Sequence, residues 1–370
     1  MKIGIDIQTT LGQKTGFGFY VENLVAELKK IDRKNEYVYF APKKESDLSM
    51  PGRFYWDQFS ISYRARQAKV DIFHQPSFSL PLLFPGKVIA TVHDLIAVLF
   101  AEHIPFFSRQ FFGHWMPFTY HKADHIMCIS EHTKKDLVKI IGVPEEKISV
   151  VYLAASEDYK PAKSVKMPPA RLGITQPYFL HVGTLNPRKN LAFLIDVFFA
   201  IARKYPNYQL VFTGKRGWYF EELFEQVKKL GLQKSIIFTD YLTEAEKIQL
   251  YQASFGFLFP SIYEGFGLPP LEAMKCGIPV IASNASSIPE VVGDAGILLP
   301  PDDKIEWVKA ISNLIQRHNL RQTMMIKGFQ QAQKFSWRRN ASETLEIYEK
   351  VYRSNNQKNQ KDEKTFKIKW

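Results

Sequence analysis

Two carboxylates, Glu264 and Glu272, stand with seven residues between them in SIYEGFGLPPLEAMKCGIPV. The stretch between holds Gly265, Gly267, Pro269 and Pro270. Glycine lets a backbone approach a ligand closely, and proline suits the first positions of a helix. The expected layout is a buried strand, SFGFLFP, then a loop carrying Glu264, then a short helix, LEAMKC, with Glu272 in its first turn. A carboxylate can accept two hydroxyl hydrogen bonds at once, which suits a vicinal diol. A helix start offers N–H groups to an anion. Two acids around such a turn point to one polar ligand that carries hydroxyls and negative charge. For Glu272 alone, the plainer alternative is a glutamate that favours the helix dipole.

Other candidates sit at the ends of strand-like runs. Arg188 and Lys189 follow YFLHVG and precede NLAFLIDVFFAIARKYP, with Asn190 placed to cap that helix. His93 and Asp94 end KVIATVHD, and Lys215 follows VFTG. His74 and His181 read as structural, the second as core. Gly16 and Gly18 lie in a loop after the first strand, with Lys14 beside them. The third glycine of a dinucleotide loop is absent, since Val21 stands there, and EYVYFA ends in Pro-Lys-Lys with no acid for a ribose. Both facts argue against a nicotinamide cofactor.

Short apolar runs alternate with amphipathic helical patterns along the chain, which argues for parallel sheets covered on both faces. The alternation stops in a proline- and lysine-rich stretch and then restarts. The expected fold is α/β, two tandem Rossmann-like doubly wound domains. Residues 1–160 form the first and 178–335 the second, joined by a linker at 161–177. A helix over 336–353 is expected to pack back toward the first domain, and the polar tail 354–370 to be disordered. Ligands of such sheets lie beyond the C-terminal strand ends, so two facing domains leave a cleft.

Composition narrows the class. The chain has 370 residues, a formal net charge of +12 and two cysteines, Cys128 and Cys276. So few cysteines do not suit a disulfide scaffold, and the start reads as a strand and not a leader peptide. VIATVHDLIAVLF is too short and too interrupted to span a bilayer. The reading is a cytoplasmic protein, with an anionic partner suggested by the charge. IPFFSRQFFGHWMPFTYHK mixes aromatic and basic residues. It suits binding of a lipid interface or of nucleic-acid bases, or a buried helix, and the buried helix is the reading adopted.

SIYEGFGLPPLEAMKCGIPVIAS resembles the donor-site motif of the family 4 glycosyltransferases, which have the GT-B fold. HVGTLNPRKNL, ISEHTKKDL, TVHDL and SSIPEVVGDAGILLPPDD are similar to further segments of that family, in the same order, so the resemblance runs from residue 1 to about 353. The NPRKN and TVHDL forms look nearest to mannosyltransferase branches. The resemblance implies that Glu272 holds the ribose hydroxyls of a nucleotide sugar and Glu264 the hydroxyls of the transferred sugar. It implies that backbone N–H groups around Phe266, Gly267 and Leu268 cover sugar and phosphates. It places His93 near the sugar, and the Gly16–Gly18 loop near the phosphates and the acceptor.

A leaving diphosphate gains negative charge, so cations must meet it. Arg188 and Lys189 take that role, with Lys215 as a lesser candidate; Thr184 stands where many members carry arginine. No DxD motif occurs, and Asp302-Asp303 is weak for a metal, so no metal and no cofactor is expected. The resulting reading is a retaining, metal-independent hexosyltransferase. Its donor is a nucleotide diphosphate sugar, GDP-mannose favoured. Its acceptor is a glycan or lipid-linked acceptor, with contact to an anionic membrane at the inner face of the cell and no nucleic acid partner. The rivals are a phosphorylase, hydrolase or epimerase of the same fold, and a non-catalytic sugar- or nucleic-acid-binding module.

Overall fold

Six short apolar runs of the N-terminal half pair as one parallel sheet. They are β1 (Lys2–Asp6), β2 (Glu36–Phe40), β3 (Ile72–Gln75), β4 (Lys87–Val92), β5 (His125–Cys128) and β6 (Ile148–Val150). Their order is β2-β1-β3-β4-β5-β6, and all neighbours run parallel. Every residue of β3 and β5 is buried, as expected of a sheet with helices on both faces.

The second sheet holds β7 (Tyr178–Val182), β8 (Gln209–Thr213), β9 (Ile236–Phe238), β10 (Gly256–Phe259), β11 (Val280–Ser283) and β12 (Ile297–Leu299). Its order is β12-β11-β10-β7-β8-β9, again all parallel. The helix Leu191–Lys204 covers it with Leu191, Leu194, Ile195 and Phe198, the stripe visible in the sequence, plus Val197 and Ile201. Burying each such side chain stabilises by about 1.5–3 kcal/mol.

This computed structural model describes residues 1–11, 16–43, 48–103, 106–165, 167–217, 220–240 and 242–367, with side chains as far as 354. Lys14 lies outside them. The chain forms two units, Met1–Leu153 with Ser336–Trp370, and Ala154–Phe335. Residues expected in a linker pack on the second unit. Arg171 pairs with Glu246, and just upstream the Tyr159 ring lies 5.7 Å from that of Tyr251. The last helix, Trp337–Lys367, belongs to the first unit and packs on the helix Gly16–Ile31. Its Tyr348 hydroxyl bonds His74 Nδ1 at 2.6 Å. It continues beyond the expected end at 353; Lys, Gln and Glu there are good helix formers.

Two local expectations are corrected. Gly16 and Gly18 are not in a loop: they are the first and third residues of the helix Gly16–Ile31, which starts earlier than its apolar pattern. The aromatic stretch near residue 110 is helical from Phe106 to Tyr120 but is not buried throughout. Phe111, Pro117 and Tyr120 face the core, while Phe106, Phe107 and Phe118 are 58%, 78% and 61% exposed.

Candidate active site

In the second unit, β10 ends at Phe259 and the chain loops to the helix Leu268–Lys275. Glu264 lies in that loop and is buried. Lys189 Nζ donates to Glu264 Oε1 at 2.5 Å, and Arg188 Nη1 lies 2.9 Å from the same oxygen. Ser261 Oγ donates to it as well. Arg188 also donates to the Tyr263 carbonyl, and Lys189 Nζ sits 5.0 Å over the Phe259 ring. Burial pushes the Glu264 carboxyl up, but the charges of Lys189 and Arg188 outweigh it and hold the group down at about 2. The acid is therefore a fixed anion between two cations.

Serines lock the loop. The Glu264 N–H donates to Ser286 Oγ at 2.8 Å. Ser287 Oγ donates to the carbonyls of Glu264 and Phe266, at 2.8 and 2.7 Å. Gly267 has φ 118°, a conformation that glycine adopts at little cost. At the ends of β7 and β8, a Cβ on Gly214 would lie 2.1 Å from the Gly183 carbonyl oxygen, so only glycine fits there.

Arg188 and Lys189 form a single 3-10 turn, Pro187–Lys189. Asn190 does not cap the following helix, as its side chain was expected to. It takes a left-handed conformation, φ 56°, and its amide donates to the Pro301 carbonyl at 2.7 Å.

Glu272 is the fifth residue of its helix and not in the first turn, because Pro269 and Pro270 lie inside that turn. It belongs to a second network. Tyr251 donates to Glu272 Oε2 at 2.8 Å, and Lys247 Nζ lies 3.6 Å from Oε1. Lys247 also pairs with Glu244 at 3.1 Å, and the Tyr159 hydroxyl donates to Glu244. Burial raises the Glu272 pKa by more than Lys247 and Tyr251 lower it.

The structure thus gathers Glu264, Arg188 and Lys189 into one cluster and places Glu272 in a neighbouring element with its own partners. Phe266 is buried, and Gly267 and Leu268 stand at the helix start, where first-turn N–H groups lack intrahelical acceptors. Lys215 is exposed after β8, and its carbonyl accepts from the Leu185 N–H at 2.9 Å.

His93, in the first unit, is buried at the end of β4. Its Nε2 bonds the Pro76 carbonyl at 2.9 Å, so that nitrogen carries the proton. Burial lowers its pKa to about 4, against the Pro76 bond. Phe17, between Gly16 and Gly18, packs 4.7 Å from its ring.

Ser261, Ser286, Ser287, Lys247 and Tyr251 were not singled out from sequence. SSIPE stood among the quoted motif segments, and Lys247 and Tyr251 have the i,i+4 spacing that puts two side chains on one helix face. Among the described residues, no group of three His, Cys, Asp or Glu is placed to hold a metal ion.

Residues 16–158 match the family described as Glycosyltransferase Family 4, and 166–331 match Glycosyl transferases group 1. The O-antigen chain mannosyltransferase B of Escherichia coli is 31% identical over 78% of this chain and 76% of its own length. The chain belongs to the family 4 glycosyltransferases. This hexosyltransferase is also 28% identical to the serotype-specific mannosyltransferase WbdA of Escherichia coli, over 73% of the chain but only 34% of that longer protein. Sucrose-phosphate synthase of Thermosynechococcus elongatus superposes with a TM-score of 0.76 at 18% identity, over 96% of this chain and 100% of the other. That match shows the fold, GT-B.

Proposed function

We propose that this glycosyltransferase moves mannose from a nucleoside diphosphate mannose, GDP-mannose favoured, to a glycan or lipid-linked acceptor in cell-surface polysaccharide synthesis. The observation that carries the reading is the buried cluster of Glu264 with Lys189 and Arg188. The mannosyltransferase names of two relatives support the sugar. Retention at the anomeric carbon follows the family. The enzyme would work at the inner face of the cell membrane.

In this reading Glu264 accepts hydrogen bonds from hydroxyls of the transferred sugar. Lys189 and Arg188 keep it ionised and meet the diphosphate as the bond to the anomeric carbon breaks. Arginine supplies a planar fork and lysine a point charge, so no divalent ion is required. Glu272 holds the ribose hydroxyls. The departing phosphate oxygen takes the acceptor's proton while the acceptor oxygen forms the new glycosidic bond.

The test is product analysis with a panel of nucleotide sugars, EDTA present, with and without a mannose-terminated acceptor. The reading expects acceptor-dependent release of nucleoside diphosphate from the mannose donor. Release without acceptor at the same rate means a hydrolase, and release from a different sugar only would replace mannose.

A further inference from the structure

The helical run over residues 50–67 carries apolar side chains on its outward face as well as its inward one, unlike an ordinary surface helix. Its inward face buries Trp56, Ile61 and Ala65 together with the polar groups Arg53, Asp57, Gln58 and Ser62. Arg53 donates to Gln8, and Ser79 Oγ donates to Asp57 Oδ2 at 2.7 Å, which anchors the run to the first unit. Its outward face carries rings: Phe54, Tyr55, Phe59 and Tyr63 are 38%, 63%, 48% and 64% exposed. These rings continue onto the helical segment 106–120. Tyr55 touches Phe59, Phe59 touches Phe54, Phe54 touches Trp115 and Trp115 touches Phe118, with centroids 5.1 to 6.5 Å apart.

Scattered exposed apolar residues are normal, but a contiguous ring surface is not. Within these two helical stretches the exposed charge has one sign. Between residues 48 and 70 the single acid, Asp57, is fully buried, and between 106 and 123 there is none. The same stretches carry Arg64, Arg66, Lys69, Arg109 and Lys122. Arg66, Lys69 and Lys122 are exposed. Among the described residues no helix is long and apolar enough to cross a membrane.

We propose that this face of the first unit docks on an anionic lipid bilayer, with the rings at headgroup level and the cations against lipid phosphates. Tyr and Trp favour that depth, and basic residues near an anionic surface add attraction. The purpose of the docking rests on the lipid-linked acceptor proposed above; the surface chemistry does not. A second copy of the chain would have to bring acids to this face, and among the described residues of 48–70 and 106–123 no acid is exposed.

The test is co-sedimentation of the full chain with vesicles of phosphatidylglycerol and phosphatidylethanolamine, against vesicles of phosphatidylcholine alone. The triple variant Tyr55→Ser, Phe59→Ser, Phe118→Ser keeps every charge, so binding through the lysine-rich C-terminal tail would survive it. Wild type should bind the anionic vesicles, and the triple variant should lose about tenfold or more in apparent affinity. Its melting temperature and its transfer to a soluble acceptor should stay near wild type. The double variant Arg66→Glu, Lys69→Glu should lose binding too. Undiminished binding by the triple variant overturns the proposal. So does self-association in lipid-free solution that the triple variant abolishes, or binding of phosphatidylcholine vesicles equal to that of anionic ones. Docking without mannose transfer would leave the surface standing and remove the proposed reaction alone.

Discussion

The Lys189 ammonium and the Glu264 carboxylate meet at 2.5 Å inside the second unit, and both residues are less than a tenth exposed. Arg188 reaches the same carboxylate oxygen, so two cations share one anion. A single lysine opposite the acid would be neutralised by it. The second cation leaves the cluster net positive, which suits the proposed role of meeting a diphosphate.

Glu264→Gln tests this relationship directly. The variant keeps the shape and removes the charge between Lys189 and Arg188. Breaking a buried pair from one side costs about 3–5 kcal/mol, so the melting temperature should fall. The turnover number should fall about 100-fold or more, the size of effect seen when a group that stabilises a transition state is removed. Steady-state kinetics beside a thermal melt separate the two. Full turnover in a folded variant would remove Glu264 from the sugar site.

Glu272→Ala should act on binding and not on the chemical step. Both oxygens of Glu272 are already oriented, one by Tyr251 and one by Lys247. The expected outcome is a KM for the nucleotide sugar raised about tenfold, with the turnover number changed little, as for charge-assisted bonds to a diol. Lys247→Met should give an intermediate rise. A 2′-deoxyribose donor should show a smaller difference between wild type and Glu272→Ala than the ribose donor does. A wild-type preference for ribose that persists in the variant would detach Glu272 from the ribose.

Stability should begin to fall below pH 6.5. His74, His93 and His181 are buried, and burial pushes their pKa values down to about 3, 4 and 3. In the unfolded chain they take up protons near 6.5, while in the fold they stay neutral. Stability is therefore complete above 6.5 and is lost as pH falls toward the folded values. Each histidine costs about 1.4 kcal/mol per pH unit in that window. Glu264 adds a later loss, from its ordinary 4.5 down through about 2. Urea melts from pH 7.5 to 5 should show the first slope, and His74→Asn should flatten it by close to one proton. A flat profile would contradict the burial of these rings in solution.

Much of this was legible because the pattern is local. The strand β10, the glycine turn and the helix after it follow one another in sequence, so Glu264 could be placed from residue types alone. Arg188 and Lys189 were placed by the strand before them and the amphipathic stripe after them. Some misses were local, the helix starts at Gly16 and at Leu268 falling earlier than their apolar patterns, and the others came from contacts between distant segments. Nothing near Asn190 announces that Pro301 will take its amide, or that Ser286 and Ser287 will grip the Glu264 loop. The ring-bearing outer face of residues 50–67 was hidden for another reason. Hydrophobic periodicity marks the face that differs from its opposite and presumes that the apolar one is inside. Here both faces carry apolar side chains: Trp56, Ile61 and Ala65 are buried beside Arg53 and Asp57, and the rings stay out.

His93 offers the sharpest separation of two catalytic roles. Its Nε2 proton is committed to the Pro76 carbonyl, and its low pKa keeps the ring neutral at physiological pH. A general acid needs a proton to give, and this ring has none at Nδ1. What remains is a lone pair on Nδ1, able to accept from a sugar hydroxyl. The amide of His93→Gln can keep the donor to Pro76, so the fold should survive. Activity should then fall by a constant factor between pH 6 and 8, with the shape of the kcat/KM profile unchanged. A wild-type inflection near 6.5 that disappears in the variant would restore His93 as an acid or base.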